Sequence, residues 1–110
     1  MKRVRLLLDH CLDWRLKKSF PSHFVRCASD MGWERLSNGA LLAAAAAEFD
    51  VVLTSDRNLK YQQNVSVLPV AVIVLVGKTN KLADMRRLVP AVEAALSSMK
   101  PGSLIEVSAP

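Results

Sequence analysis

Val4-Arg5-Leu6-Leu7-Leu8-Asp9 and Val51-Val52-Leu53-Thr54-Ser55-Asp56 are short apolar runs that each end at an aspartate. Strands covered on both faces read as continuous rather than alternating hydrophobics, so both runs predict strands of a parallel sheet. Ligands of open α/β sheets bind outside the carboxyl ends of the strands, which is where both carboxylates would stand. If the two strands are neighbours, their backbones run roughly 4.8 Å apart. At that separation Asp9 and Asp56 either share one cation or repel each other.

Outward from these runs, the chain alternates between strand and helix patterns. Leu12, Leu16 and Phe20 recur at helical spacing until Pro21 stops them. Phe24-Val25-Arg26-Cys27-Ala28 reads as a second strand, and Ser29 to Ser37, with Gly32 and Trp33, as a loop. Asn38 is the expected N-cap of a helix that continues through Ala43 to Ala47, whose small side chains allow close approach to a sheet. Asn58 is expected to cap a short helix through Tyr61. Val70 to Val76 is uncharged and β-branched as far as Gly77, the pattern of a central strand. Leu82, Met85, Leu88, Val89, Val92 and Leu96 mark an amphipathic helix from Asn80, which Pro90 kinks or divides. A turn at Lys100-Pro101-Gly102 then leads to an edge strand over Leu104 to Val107. The expected architecture is one three-layer α/β domain spanning residues 1–110, with a mainly parallel central sheet.

With 110 residues, 51% of them apolar, the chain has material for one core without covalent staples. Cys11 and Cys27 are too few for a disulfide scaffold or a four-cysteine zinc site, which fits a reduced, cytoplasmic setting. The apolar stretch after Met1-Lys2-Arg3 is interrupted at Asp9, short of a secretion signal. Val65 to Val76 carries Ser66 and Pro69 and falls below the roughly 20 residues of a membrane span. A soluble protein with no membrane partner is expected. The formal charge of +5 and pI near 9.6 favour phosphate-rich partners.

A lone aspartate after a strand most often caps the next helix. Two at equivalent positions instead point to a hard divalent cation, Mg2+ or Mn2+, held by Asp9 and Asp56. Asp13, one turn past Asp9, reads as a partner of the helix dipole, and Asp30 and Glu34 as solvated surface charges. His10 and Cys11 are adjacent on an extended chain and so point to opposite faces, which gives no catalytic dyad. His23 lacks neighbours at metal-ligand spacing and reads as exposed. Gly77-Lys78-Thr79 is not a phosphate-binding loop, because that motif's first glycine would fall on Val72 inside a strand. Trp33 and Tyr61 are candidates for base stacking, Gln62 for base edges, and Arg57 and Lys60 for phosphates.

Together, Leu7-Leu8-Asp9-His10-Cys11-Leu12, Met31-Gly32-Trp33, Ser37-Asn38-Gly39-Ala40-Leu41-Leu42 and Leu53-Thr54-Ser55-Asp56-Arg57-Asn58-Leu59 resemble a family of small PIN-like proteins. The resemblance runs from Val4 to Val76. It implies the compact α/β fold of PIN nucleases, which cut RNA with a magnesium or manganese ion held by acidic residues. Many such proteins are toxins restrained by an antitoxin. Asp9 matches the first acidic position and Asp56 the third, whereas the second falls on Asn38 or Gly39 and the fourth on Asn58. The implied catalytic set is therefore Asp9, Asp56, Asn38 and Asn58, depleted of two charges. The expected function is a metal-dependent ribonuclease, or a catalytically inactive nucleic-acid-binding or regulatory module on the same fold. Single-stranded RNA, an antitoxin protein and a second copy of the chain in a homodimer are the candidate partners. A receiver-like phosphoacceptor domain using Asp56 with Lys78 is a third reading that depends on sheet order.

Overall fold

A computed structural model describes residues 3–59 and 64–109 of the chain. Each apolar run forms a strand: β1 Arg5–Leu8, β2 Phe24–Cys27, β3 Val51–Thr54, β4 Ala71–Val76 and β5 Leu104–Ser108. They make one five-stranded sheet in the order β2-β1-β3-β4-β5, with every pairing parallel. The expected three-layer α/β architecture is present. Leu6, Leu8, Val51, Leu53, Ile73 and Leu75 face one layer, and Leu7, Val52, Val72 and Val74 face the other. Successive strand residues point to opposite faces, and both faces of the central strands are covered, so β4 is apolar throughout, while β1 keeps Arg5 at its exposed start and β3 closes on Thr54.

The first layer comprises a 3-10 helix at Trp14–Ser19 and the helices α2 Leu82–Arg86 and α3 Val89–Leu96, which bury Leu16, Met85, Leu88, Val92 and Leu96. Helix α1, Asn38–Glu48, covers the second layer through Leu41, Leu42 and Ala45. Two local expectations change. The segment ending at Phe20 is 3-10 rather than α-helical, with Leu16 N–H bonded to the Asp13 carbonyl at 3.0 Å and Phe20 N–H to that of Lys17 at 3.3 Å. Six residues between a turn and Pro21 suit this tighter winding, which occurs mostly in short pieces. Ser37, not Asn38, caps α1, its hydroxyl accepting from Ala40 N–H at 3.3 Å. Pro90 does divide the last helical region, standing in the first turn of α3, where its missing N–H leaves no bond broken.

His23 is buried rather than exposed. Its Nδ1 accepts the Val4 N–H at 3.0 Å, and its Nε2 donates to Glu93 Oε1 at 2.6 Å. That carboxylate lies on α3, so local ligand spacing carried no sign of it. Asp30 is also engaged, accepting Cys27 N–H at 2.8 Å and the Lys17 ammonium at 3.2 Å. The bond from Cys27 is the main reason its carboxyl is held below the ordinary range.

The connections from β2 to β3 and from β4 to β5 advance in the same direction along the sheet. They pass over opposite faces, one through α1 and the other through α2 and α3. The two crossovers therefore have opposite hands, although about 98% of such connections are right-handed. As a result α2 shares a layer with the Trp14–Ser19 helix and packs on it.

Candidate functional site

Chain order reverses between β1 and β3: the segment after β1 leads outward to β2, and the chain then returns to β3 on β1's other side. This is the topological switch point at which open α/β sheets bind ligands. Asp9 and Asp56 follow these two strands, and Leu8 is in register with Leu53. Asp9 N–H bonds the Leu53 carbonyl at 2.9 Å, extending the ladder to the first carboxylate.

Thr54, fully buried at the end of β3, links the two aspartates. Its hydroxyl donates to Asp9 Oδ2 at 2.8 Å and accepts Asp56 N–H at 3.1 Å. Asp9 itself is only 2% exposed. Its Oδ1 accepts from His10 N–H at 2.8 Å and meets His10 Nδ1 at 2.9 Å, a contact that places the ring proton on that nitrogen. The Cys11 thiol approaches Oδ2 at 3.6 Å and accepts Ser55 N–H at 3.4 Å. His10 and Cys11 thus both turn toward Asp9, contrary to strand alternation. The chain leaves the extended conformation here, with Leu12 N–H closing a turn on the Asp9 carbonyl at 3.0 Å.

Asp56 is less enclosed. Asn38 Nδ2 donates to its Oδ2 at 2.8 Å, and Asn58 N–H donates to its Oδ1 at 2.9 Å. Capping by Ser37 places Asn38 inside the first turn of α1, with its amide on Asp56. Asp9, Asp56, Asn38 and Asn58 are therefore gathered, although Asn58 contributes through its backbone. Arg57 extends across the edge to the Gly77 carbonyl, 3.3 Å away.

Trp33 lies elsewhere. Its ring meets Phe49 edge-on, with centroids 6.0 Å apart. Phe49 follows the last residue of α1, about 16 Å along the helix axis from Asn38 at 1.5 Å per residue. Lys60, Tyr61 and Gln62 lie outside the described residues. Thr54, His10 and Cys11 join the site without having been singled out for it. The signal for Thr54 was a polar residue closing an otherwise apolar strand two positions before Asp56.

A carboxylate has about four acceptor positions. Those of Asp9 meet two His10 nitrogens, the Thr54 hydroxyl and the long Cys11 thiol contact, whereas among the described residues each Asp56 oxygen has a single donor. Among the described residues, no three His, Cys, Asp or Glu side chains converge as a metal cage. Magnesium is commonly held by only one or two carboxylates together with water and substrate phosphates, and the Asp9 and Asp56 oxygens fit that donor chemistry. Among the described residues no helix is long and apolar enough to cross a membrane. Comparison with known proteins returned no matching family model, no matching curated protein and no matching solved structure.

Proposed function

We propose that the chain is a PIN-like protein acting on single-stranded RNA, with one Mg2+ or Mn2+ ion held between Asp56 and Asp9 in a charge-depleted ribonuclease site. The observation that carries this reading is the juxtaposition of the two aspartates, tied through the Thr54 hydroxyl at the β1/β3 switch point. When bound, such an ion lowers the pKa of a coordinated water and offsets charge on the scissile phosphate. Asp56 is the more available ligand, and Asp9 joins it by releasing the 3.6 Å Cys11 contact, the weakest of its four. Asn38 orients Asp56, while Arg57 and Lys60 attract the RNA backbone. In its finer form the reading is a cytoplasmic toxin whose cognate antitoxin covers this basic edge, with a second copy of the chain as a further partner.

A second reading, a non-cutting RNA-binding or regulatory module, is favoured by the Asn38 contact. The amide fills the second acidic position and donates to Asp56, so a hydrogen bond stands where a metal ligand would add charge. The receiver-like alternative is compatible with the sheet order, but Lys78 is exposed and forms no ion pair with Asp56 among the described residues.

Asn38→Asp, alone and with Asn58→Asp, separates the first two readings. In chelator the new carboxylate faces Asp56, and like charges at that distance lower the melting temperature. With manganese the ribonuclease reading expects recovery of the melt and cleavage of single-stranded RNA. Recovery without cleavage supports the binding module. A melt that ignores manganese removes the metal site.

A further inference from the structure

Trp14 is 57% exposed, although an indole is costly to leave in water. Phe24, the other exposed aromatic among the described residues, is covered by the Arg26 guanidinium 4.4 Å from its ring centre. Trp14 has no ring, cation or hydrogen-bond partner for its side chain among the described residues. It opens the 3-10 helix a few residues beyond Asp9, so it stands at the carboxyl edge of the sheet, on the α2 layer.

Contacts along that edge connect it to the aspartates. Arg57 follows Asp56 and donates to the Gly77 carbonyl. The Thr79 hydroxyl donates to Asp84 in α2, which holds the 77–84 turn against that helix. At its other end α2 closes on Arg86, and the helix packs on the Trp14–Ser19 helix. Asp13 precedes Trp14 and caps its helix. Lys78, Lys81 and Arg86 are exposed along this line and form no ion pair within 4.0 Å among the described residues. Arg5, Arg15 and Lys17, in contrast, are each paired with an aspartate.

Unpaired cations leading to a bare aromatic face are the two components of a single-strand platform: phosphate contacts and base stacking. We propose that Trp14 stacks on a base of the bound RNA and that Lys78, Lys81 and Arg86 carry its phosphates between the Asp9–Asp56 pair and that ring. The inference rests on the RNA reading above and adds the path of the strand.

A labelled oligouridylate, titrated in chelator to prevent cleavage, tests it. Trp33→Phe leaves Trp14 as the sole tryptophan, and its fluorescence is expected to quench as RNA binds. Trp14→Ala is expected to bind about 5- to 150-fold more weakly, the usual loss for one stacked base. Replacing Lys78, Lys81 and Arg86 together with alanine should reduce the magnitude of the log-log salt slope by about 2, the share of three phosphates on a single strand. If Trp14→Ala binds like the parent, or Trp14 is not quenched, the stacking role is overturned while RNA binding stands. An unchanged salt slope removes the three cations from the path. A parent protein that retains no oligouridylate at low salt overturns the path together with the RNA reading.

Discussion

At the scale of single residues, Thr54 matters because one hydroxyl serves both aspartates. Thr54→Val keeps the shape but removes a donor from Asp9 and an acceptor from Asp56 N–H, leaving buried polar groups short of partners. The expected cost is about 1 to 3 kcal/mol in urea unfolding. Thr54→Ser retains the hydroxyl and is expected to recover most of it. Asp13 gives a pH test. Hydrogen bonds from Arg15 hold its carboxyl down to about 2, from an ordinary 3.8. A carboxyl whose folded value is depressed stabilises the fold above its unfolded value and loses that contribution as acid protonates it. The melting-temperature difference between parent and Asp13→Asn is therefore expected to be constant above pH 5, to shrink below pH 4 and to close near pH 2. A difference that keeps its neutral-pH size at pH 2 would assign the effect to packing. The ordinary cap reading of strand-end aspartates holds in part for Asp56, whose Oδ1 accepts the Asn58 N–H, while Asp13, expected as a partner of the helix dipole, caps the Trp14–Ser19 helix. Asp9 accepts the next residue's N–H but is otherwise committed to side chains, which local sequence does not reveal.

At the scale of elements, position within the sheet sets the consequence of a substitution. Ser37→Ala is expected to cost about 1 kcal/mol through loss of the α1 cap. It should also loosen Asn38 and weaken its bond to Asp56, visible as faster amide exchange in the first turn of α1. Gly77 ends β4 where a side chain cannot be added freely. A Cβ there would lie 2.9 Å from the Thr79 carbonyl oxygen and against the Met85 side chain. Gly77→Ala should lower the melting temperature and displace the carbonyl that anchors Arg57, and an unchanged melt would show that the turn yields without cost. The central strands were legible because burial on both faces leaves continuous apolar runs, whereas the edge strands β2 and β5 are only partly buried and carry Arg26 and Glu106; the expected Val51–Thr54 is β3 itself, and the other strands differ by a residue or so at their ends. Helical boundaries were less legible. Ser37 and Asn38 are both good caps, and the choice between them depends on Asn38 having a partner on β3's far end.

At the scale of the whole molecule, β5 is bonded to β4 over the full length of the strand, from Val72 opposite Leu104 to Val76 opposite Ser108. Removing residues 103–110 would leave β4 as a bare, uncharged edge, a template for pairing between chains. The truncated chain is expected to lose its cooperative melt and to aggregate, as judged by circular dichroism and size-exclusion chromatography. A folded, monodisperse fragment would show that four strands suffice. The hand of the β4-to-β5 connection has a further consequence: it places α2 against the Trp14–Ser19 helix.

Hydrophobic patterning determined the strands, the mainly parallel sheet and the presence of an aspartate at the end of each of two strands, because burial on both faces constrains nearly every residue of the central runs. Strand order was decided only in three dimensions, by long-range pairing that a local pattern does not encode. The order brought Asp9 and Asp56 together, and the turn after Asp9 brought His10 and Cys11 onto one carboxylate. Helix packing placed Glu93 on His23 and Phe49 under Trp33. It left Trp14 facing solvent. An aromatic residue carries the same hydrophobicity in either place, and only packing distinguishes one held in the core from one open to a ligand.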